Sequence, residues 1–340
     1  MNVLVTGGAG MLGREIVRQL LEKEYTVRVL DLQSLADEFP SVEWITGSVA
    51  DADTVMQACE GMDAVMHTVA LISQELGEPP HMYDVNVKGT EHIITACQAH
   101  GIPKLIYTGS IDAVYDGTPI TNGDETLPYP AKHLDYYGTT KMLAEQAVVA
   151  ANSDTLTTAV IRAASIYGPH DKHRFPAILS TLLDTGQYTR IGNGQSEISH
   201  VYVDNIAYAH VLLLENLAPD KPTAGSIYFI TDHAAGNFFD FFPPFLETLS
   251  LDYEVQQIPQ WLATTIANLL EWRYALFPSE KNKRIRLSRY TVSAVTKDFS
   301  FSHAKATRDF GYHPIVTQEE AFNATVAWLK NEWLPQYQQD

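Results

Sequence analysis

A glycine-rich turn between a β-prone run and an amphipathic run constrains this chain more than any other feature. Residues 7–13, Gly-Gly-Ala-Gly-Met-Leu-Gly, follow the apolar residues 3–6 and open residues 11–21, whose apolar side chains recur at helical spacing. Glycines let a strand turn sharply into a helix, and the N–H groups exposed there hold phosphate. The pattern predicts a dinucleotide-binding loop. Its predicted contacts are Gly7, Gly10, Met11, Leu12 and Gly13.

The first part of the chain alternates between strand-like and helix-like segments. Strands are predicted at residues 3–6, 26–30, 42–45, 64–67, 104–108 and 156–162, and helices at 11–21, 51–59, 82–99 and 136–151. Strands separated by helices predict an α/β fold with a doubly wound, Rossmann-type parallel sheet. We expect a dinucleotide-binding domain over residues 1–168. Residues 169–340 are expected to form a smaller, mixed C-terminal substrate lobe, with some segments returning to the first domain.

Composition excludes several classes of protein. A formal net charge of −18 in 340 residues argues against a nucleic-acid partner, because phosphate would be repelled over most of the surface. The chain has no apolar run long enough for a transmembrane helix, and its first residues read as a strand rather than a signal peptide. Cys59 and Cys97 lie in helix-like sequence, which favours a reducing cytoplasm. No metal-ligand spacing is present, so no metal is expected.

An acidic residue follows the glycine loop at the spacing expected of a ribose-binding acid. Asp31 ends the second predicted strand, where a ribose-binding carboxylate is expected. It would accept hydrogen bonds from both ribose hydroxyls and repel a 2′-phosphate. The sequence therefore predicts NAD as the cofactor in preference to NADP.

A tyrosine and a lysine four residues apart predict the chemistry. Tyr137 and Lys141 share one face of a helix, and an ammonium beside a phenol is expected to lower the pKa of the phenol. Tyr137 can then exchange a proton with a substrate hydroxyl, while Lys141 holds the nicotinamide ribose. Ser110, at the carboxyl edge of the sheet, can bridge the substrate oxygen and Tyr137. Asn86 either positions a water in a proton relay or bends its helix by bonding the backbone.

Together these motifs resemble the short-chain dehydrogenase/reductase family, extended type. Further matches lie at residues 67–70, 86–90, 162–169 and 200–205. The segments at 107–111, 141–148, 191–194, 227–232, 287–290 and 310–314 are most similar to the 3β-hydroxysteroid dehydrogenase and sterol-4-carboxylate dehydrogenase branch. The resemblance implies further cofactor contacts at Ser48, Val49, Thr68, Ala70 and Ala164. It also implies a homodimer that pairs the helices at 82–99 and 136–151.

The sequence departs from the family pattern at a few positions. Ser48 stands where an adenine-binding Asp is common, and Ala163 replaces the usual Pro after Arg162. Gly109 precedes Ser110 where a second Ser is common. The segment that begins at Asp112 is one residue longer than the steroid pattern.

The predicted function is NAD-dependent interconversion of a secondary alcohol and a ketone on a small hydrophobic substrate, either 3β-hydroxysteroid-like or a long-chain β-hydroxy acid. A sugar-nucleotide epimerase or dehydratase is the alternative, although residues 111–113 offer only one acid where dehydratases place a pair. A non-catalytic dinucleotide sensor is the third hypothesis, but the Tyr-Lys pair is intact. An apolar pocket is expected from the aromatic residues Phe238, Phe239, Phe241, Phe242, Trp261 and Trp272.

A segment late in the chain combines an apolar helical stripe with basic residues. Residues 261–277 carry the stripe, and the cations that follow are Lys281, Lys283, Arg284, Arg286 and Arg289. Such a pairing is typical of a helix that lies on an anionic membrane. An ordinary core or lid helix followed by a solvated basic turn is the alternative, so peripheral membrane contact through residues 261–289 is one of two interpretations.

Overall fold

The computed structural model describes residues 1–72, 79–277 and 287–337 of the chain. The strands are β1 (Asn2–Thr6), β2 (Thr26–Asp31), β3 (Glu43–Thr46), β4 (Ala64–His67), β5 (Lys104–Ser110), β6 (Ile120–Gly123), β7 (Thr157–Ala163), β8 (Ser165–Tyr167), β9 (Gln187–Ile191), β10 (Glu197–Ile198), β11 (His200–Tyr202), β12 (Ser226–Ile230), β13 (Gly236–Asn237), β14 (Glu254–Ile258) and β15 (Phe299–Phe301).

The helices alternate with these strands in the first half of the chain and predominate at its end. They are α1 (Met11–Glu22), α2 (Ala52–Cys59), α3 (Pro80–Tyr83), α4 (Gly89–His100), α5 (Tyr136–Ala150), α6 (Arg174–Thr185), α7 (Val203–Asn216), α8 (Pro243–Thr248), α9 (Gln260–Leu276), α10 (Arg289–Thr296), α11 (Ala304–Phe310), α12 (Gln318–Trp328) and α13 (Leu334–Tyr337). Short turns of π-helix cover Asp84–Lys88 and Leu329–Trp333, and a 3₁₀ turn covers Ile111–Val114.

Seven parallel strands form the main sheet, in the spatial order β12-β7-β5-β4-β1-β2-β3. The chain winds outward from β1 in both directions, which makes the sheet doubly wound, as the sequence predicts. The winding direction reverses between the neighbouring strands β1 and β4, which makes this the switch point of the sheet. Ligands of such sheets bind there, at the carboxyl ends of the strands. Thr6, His67 and Ser110 end three of the strands at this edge.

Helices cover both faces of the sheet, so its central strands are buried on both sides rather than on alternate residues. All four residues of β4 and all seven of β7 are buried. One core cluster joins the sheet to α1 and α7, and a second joins it to α2, α4 and α5. A third cluster, rich in phenylalanine, lies in the C-terminal lobe and includes Phe175, Phe242 and Phe245.

The C-terminal part contributes to both lobes. β12 lies beside β7 in the main sheet, with Ser226 opposite Ala159. The smaller sheets pair β9 with β14, β8 with β11, and β13, β10, β15 and β6 in one four-stranded group. The division of the chain near residue 168 stays a prediction.

One predicted helix differs in detail. The sequence predicts a continuous helix over residues 82–99, and the structure has α3, the π-turn Asp84–Lys88 and α4 in its place. The π-turn adds a residue to one turn, as such turns do near functional sites. It contains Asn86, whose side chain bonds outside the helix.

Candidate active site

The glycine loop has the geometry of a phosphate cradle. Gly7 has a φ of +78°, which side-chain-bearing residues rarely adopt, and its N–H donates to the Leu30 carbonyl at 2.8 Å. A Cβ on Gly13 would stand 2.1 Å from the Gly7 carbonyl oxygen, so only glycine lets α1 approach the loop. Gly10 precedes α1 without a side-chain cap, which leaves the first N–H groups for a ligand. These residues fit the pyrophosphate of a dinucleotide.

Asp31 is fixed beside that loop. Its Oδ2 accepts a hydrogen bond from the Ala9 N–H at 3.0 Å, and its Oδ1 accepts one from the Gln33 N–H at 3.1 Å. On the neighbouring strand end, the Ser48 hydroxyl accepts a bond from the Ala50 N–H, and the Val49 side chain is buried. The three predicted adenosine contacts thus follow adjacent strands β2 and β3.

Most of the other predicted site residues meet in one large cavity of about 1740 Å³. It is lined by the predicted residues Met11, Leu12, Thr68, Ala70, Ser110, Tyr137, Lys141 and Ala164. Thr68 is fixed by a 2.7 Å bond from its hydroxyl to the Thr6 carbonyl, and Ala164 donates its N–H to the Ile230 carbonyl. The cavity therefore joins the glycine loop to the Tyr-Lys helix across the carboxyl edge of the sheet.

Tyr137 is the second residue of α5, the helix that also carries Lys141. Asp135 caps α5 by accepting the Gly138 N–H at 2.9 Å, which places Tyr137 in the first turn, facing the cavity. Burial and the nearby charge of Asp112 raise the pKa of Tyr137 well above its usual range, and a hydrogen bond with Ser110 opposes this rise. The phenol is therefore protonated at neutral pH in this structure.

Lys141 is buried one turn further along α5, with 1% of its surface exposed. Its Nζ donates to the Thr108 carbonyl at 2.6 Å and lies 4.3 Å from the centre of the Tyr107 ring. Burial lowers its pKa to about 7, although Glu145 and Asp112 act in the opposite direction. The expectation that an ammonium beside Tyr137 lowers the pKa of the phenol is wrong for this structure, because burial disfavours both charged forms and the charges that act on the phenol, those of Asp112 and Asp135, are negative.

The sequence interpretation missed two residues that share the cavity with Ser110. Asp112 Oδ2 accepts the Ser110 hydroxyl at 2.8 Å, and its Oδ1 accepts the Tyr290 hydroxyl at 2.7 Å. Burial raises the pKa of Asp112, and burial together with Asp112 raises that of Tyr290 well above its usual range. In the sequence Asp112 is visible only as the single acid of residues 111–113. Tyr290 belongs to the family match at residues 287–290, but its place in the site depends on tertiary packing of α10, which the sequence does not show.

The side chain of Asn86 forms hydrogen bonds that hold two neighbouring segments together. Its amide accepts the Leu71 N–H at 2.7 Å and donates to the Leu71 carbonyl at 3.1 Å and to Thr140 Oγ1 at 3.0 Å. Asn86 therefore ties the segment after β4 to α5, close to Lys141. Asn86 thus bonds backbone groups of another segment, and its role in positioning a water stays a prediction.

The apolar wall of the cavity is not built from the residues named in the sequence interpretation. Phe239 and Phe242 are buried in the lobe core, and Trp261 and Trp272 are 70% and 63% exposed on α9. None of the six predicted aromatic residues lines the large cavity, because the four phenylalanines pack in the lobe core and the two tryptophans are exposed to solvent. Its apolar lining comes from Leu71, Ile72, Leu134, Met142, Ile166, Ile178, Tyr274 and Trp333.

The helix α9 lies at the rim of this cavity through Glu271 and Tyr274. Its outward face is mostly apolar, with Thr265, Asn268 and Arg273 exposed among the apolar side chains, and Glu271 bonds Arg289 at 2.5 Å. The exposed apolar side chains are Trp261, Leu262, Ile266, Leu269, Trp272, Leu276 and Phe277. The basic residues Lys281, Lys283, Arg284 and Arg286 lie outside the described residues. Among helices in the described part of the chain, none is long and apolar enough to cross a membrane.

The histidines near the sheet edge are packed side chains. His67 bonds Thr6 Oγ1 at 2.7 Å and Thr90 Oγ1 at 3.1 Å, and burial lowers its pKa to about 3. His200 accepts a bond from Arg174 at 2.8 Å on its Nδ1. Within residues 1–72, 79–277 and 287–337, no three His, Cys, Asp or Glu side chains are arranged to hold a metal ion.

A glycine cradle at the switch point, open to a cavity that holds a serine and a Tyr-Lys helix, defines the class of protein. That class is the short-chain dehydrogenases and reductases in their extended form, as the sequence predicts. Sequence comparison then defines the family. The model of the 3-beta hydroxysteroid dehydrogenase/isomerase family matches residues 4–260, and the chain belongs to that family. The prediction of a dehydrogenase/reductase of the short-chain type is thereby confirmed.

Individual relatives agree with this assignment. The chain is 33% identical to the mouse sterol-4-alpha-carboxylate 3-dehydrogenase, decarboxylating, over 95% of this chain and 89% of that protein. It is also 33% identical to a Mycobacterium tuberculosis 3 beta-hydroxysteroid dehydrogenase/Delta 5→4-isomerase, over 97% and 93%. The Thermus thermophilus UDP-glucose 4-epimerase, solved with NAD, has a TM-score of 0.75 at 22% identity, covering 98% of this chain and all of that one. This last likeness shows the fold alone.

Proposed function

We propose that the protein oxidises a secondary alcohol on an apolar substrate with NAD, or reduces the matching ketone. One observation carries the proposal: Met11 and Leu12 at the end of the glycine loop line the same cavity as Ser110, Tyr137 and Lys141, and more of its lining is apolar than polar. A nicotinamide held beside Tyr137 would supply the hydride chemistry. The chain itself supplies Ser110 and Tyr137 to bind the substrate oxygen and exchange its proton, and Lys141 to support the ribose.

Size and chemistry of the cavity favour a steroid-like substrate or a long-chain β-hydroxy acid. About 1740 Å³ holds a dinucleotide head and a bulky substrate together. The names of the mouse and mycobacterial relatives refer to sterol and steroid substrates, and their sequences align with nearly the whole chain. The sugar-nucleotide alternative shares the fold and cofactor loop, but Asp112 is the only acid of the pair that a dehydratase needs.

The first experiment follows NADH absorbance with purified protein, NAD and three substrates: a 3β-hydroxysteroid, a long-chain β-hydroxy acid and a UDP-sugar. We expect NADH to accumulate with the steroid or the hydroxy acid, and Tyr137→Phe to abolish that signal. Tyr25→Phe is the matched control, because Tyr25 bonds Glu215 at the opposite end of β2. NADH formation that survives Tyr137→Phe would contradict the assignment of the acid-base residue, and turnover of the UDP-sugar alone would replace the proposed substrate class.

NAD is proposed over NADP because of Asp31. Its carboxylate is held next to the cradle by Ala9, where it would repel a 2′-phosphate. Titration calorimetry with both cofactors should show tighter binding of NAD, and Asp31→Ser should narrow the difference. Tighter binding of NADP by the unchanged protein would remove this assignment.

Peripheral membrane contact is proposed for the exposed face of α9. Only Ala263 and Ala267 of this helix are buried, and the basic sequence at 281–289 follows directly. The protein should co-sediment with anionic vesicles at low salt, and Trp261→Ser with Trp272→Ser should release it. Leu32→Ser is the control, because Leu32 is equally exposed elsewhere. If the protein does not sediment with such vesicles, the proposed membrane contact is contradicted.

A cytoplasmic homodimer completes the proposal. Cys59 and Cys97 are buried and unpaired, in keeping with a reducing compartment. Light scattering coupled to size exclusion should give twice the monomer mass. A monomeric mass at micromolar concentration would rule out the dimer, which is carried over from the resemblance.

A further inference from the structure

Asp112 joins two elements at the site through its two carboxylate oxygens. Oδ2 accepts the hydroxyl of Ser110 at the end of β5, and Oδ1 accepts the hydroxyl of Tyr290 in α10. The Asp112 N–H also donates to Ser110 Oγ at 3.2 Å, so the two residues bond each other twice. Ser110 and Tyr137 line the same cavity, and the Ser110 hydroxyl lies close enough to the phenol to lower its pKa. A continuous chain therefore runs from Tyr137 through Ser110 to Asp112, and it ends on Tyr290.

The groups around this chain determine where a negative charge can reside. Lys141 and His133 favour the carboxylate of Asp112, and the Tyr290 and Ser110 hydroxyls donate to it. Asp135, at the start of α5, adds a second acid whose pKa is raised to about 7 by burial and by Asp112. Tyr115 also lies close enough for Asp112 to raise its pKa. Each phenol in the cluster is held protonated, which leaves carboxylates as the charged groups.

We propose that Asp112 is the proton acceptor at the end of a relay that runs from the substrate hydroxyl through Tyr137 and Ser110, with Tyr290 as the residue that positions the carboxylate. The proposal rests on the alcohol oxidation described above. The hydroxyl proton of the substrate passes to Tyr137 Oη, the phenol proton passes to Ser110 Oγ, and the serine proton passes to Asp112 Oδ2. The hydride from the substrate carbon goes to the bound nicotinamide. Tyr137 and Ser110 each gain and lose one proton, and Asp112 becomes a carboxylic acid.

This relay differs from one that starts with a phenolate, because no ionised tyrosine is needed. Oxidation requires Asp112 to be a carboxylate, so its rate should fall as pH drops through the raised pKa of Asp112. Reduction of the ketone requires the carboxylic acid, and its rate should fall as pH rises through the same pKa. Loss of the Tyr290 hydroxyl removes a bond to the charged form, so Tyr290→Phe should move the acidic limb of oxidation to higher pH.

The first test uses the protein without cofactor or substrate. Phenolate absorbance is titrated in the unchanged protein and in Asp112→Asn, each against its own Tyr137→Phe version, so that the difference isolates Tyr137. We expect Tyr137 to ionise at lower pH in Asp112→Asn, because the neighbouring negative charge is gone. Identical titration of Tyr137 in both proteins would overturn the proposed coupling, whatever the substrate is.

The second test measures the pH dependence of kcat. Asp112→Asn should lower kcat for oxidation by roughly 10²–10⁴, the range for loss of an acid-base group, with little change in KM or in NADH affinity. The fall of kcat at low pH should be absent from the pH profile of Asp112→Asn, and Asp112→Glu should restore part of that fall. Asp116→Asn, in the same loop but bonded to Thr118 rather than to the relay, should match the unchanged protein.

The outcomes separate this relay from the proposed function. Unchanged kcat and an intact acidic limb in Asp112→Asn would overturn the relay while leaving alcohol oxidation in place. Unchanged NADH affinity shows that Asp112→Asn is folded, so a loss of rate with no loss of the acidic limb would also contradict the relay. Absence of alcohol oxidation in the unchanged protein would instead remove the proposed function, and the phenol titration would still report on the coupling.

Discussion

Removing Arg162 should destabilise the protein far more than removing an arginine from its surface. Arg162 and Glu145 are 2% and 0% exposed, and they are joined by bonds of 3.1 Å from Nε and 2.6 Å from Nη2. Tyr129 donates a further bond to the same carboxylate at 2.7 Å. Burial opposes ionisation of the guanidinium, but Glu145 raises the pKa of Arg162, so the pair is charged. The pair joins α5, which carries Tyr137 and Lys141, to β7.

Arg162→Met would leave the Glu145 carboxylate buried with one hydrogen bond from Tyr129. Breaking a buried pair from one side costs roughly 3–5 kcal/mol, because a charge remains without compensation. Replacing both residues by Met removes that charge, so we expect the double variant to recover most of the loss. A residual cost of about 1–3 kcal/mol should remain, since the Tyr129 hydroxyl loses its acceptor.

Urea denaturation followed by tryptophan fluorescence measures these free energies of unfolding. Arg18→Met is the matched control: Arg18 pairs with Glu15 and Glu22 on α1 and with Asp204 on α7 but is 43% exposed, and its removal should cost at most about 1 kcal/mol. A loss in Arg162→Met no larger than that of the control would refute the reasoning. So would a double variant as unstable as the single one.

Three further predictions concern the site. Gly13→Ala should weaken dinucleotide binding by at least about tenfold in titration calorimetry, while Gly236→Ala, where a Cβ meets nothing within 4 Å, should not. Lys141→Met should abolish turnover yet stabilise the cofactor-free protein by up to about 5 kcal/mol at pH 6, where the buried amine must be protonated. This gain in the free energy of unfolding should fade between pH 7 and 10.5, so denaturation is measured at pH 6 and pH 10. Lower stability than the unchanged protein at pH 6 would contradict the prediction. Asn86→Ala should cost roughly 1–3 kcal/mol of unfolding free energy because the Leu71 backbone groups lose their partners; an unchanged denaturation midpoint would show that water replaces them.

Local chemistry accounts for what could be predicted. The loop at Gly7 and the capped helix at Asp135 follow from neighbouring residues alone, and the parallel sheet follows from apolar strands that alternate with helices. The resemblance to the dehydrogenase family rested on such segments and was confirmed. The π-turn at Asn86 within the predicted helix could not be foreseen, because the partners of its side chain, Leu71 and Thr140, lie on other segments.

Long-range packing determined the rest. Phenylalanines near residue 240 are spaced like a pocket lining, but Phe242 packs on Phe175 and Phe245 in the lobe core. The cavity takes its apolar lining from segments far apart in the chain, such as Ile72 and Trp333. Tyr290 reaches Asp112 across 178 positions of sequence, which no local pattern encodes.

The charges of the site show why a motif does not by itself determine a mechanism. Four-residue spacing puts Tyr137 and Lys141 on one helical face, but their ionisation depends on the surroundings. In this cavity the lysine donates to the Thr108 carbonyl and its pKa is lowered to about 7, while the tyrosine stays protonated beside Asp112. A relative with the same Tyr-Lys pair and no acid at the position of Asp112 would lack the negative charge that, together with burial, raises the pKa of Tyr137. Under the proposed relay, such a relative would have to move the substrate proton by another route, and the neighbouring acid, rather than the pair, would distinguish the two proteins.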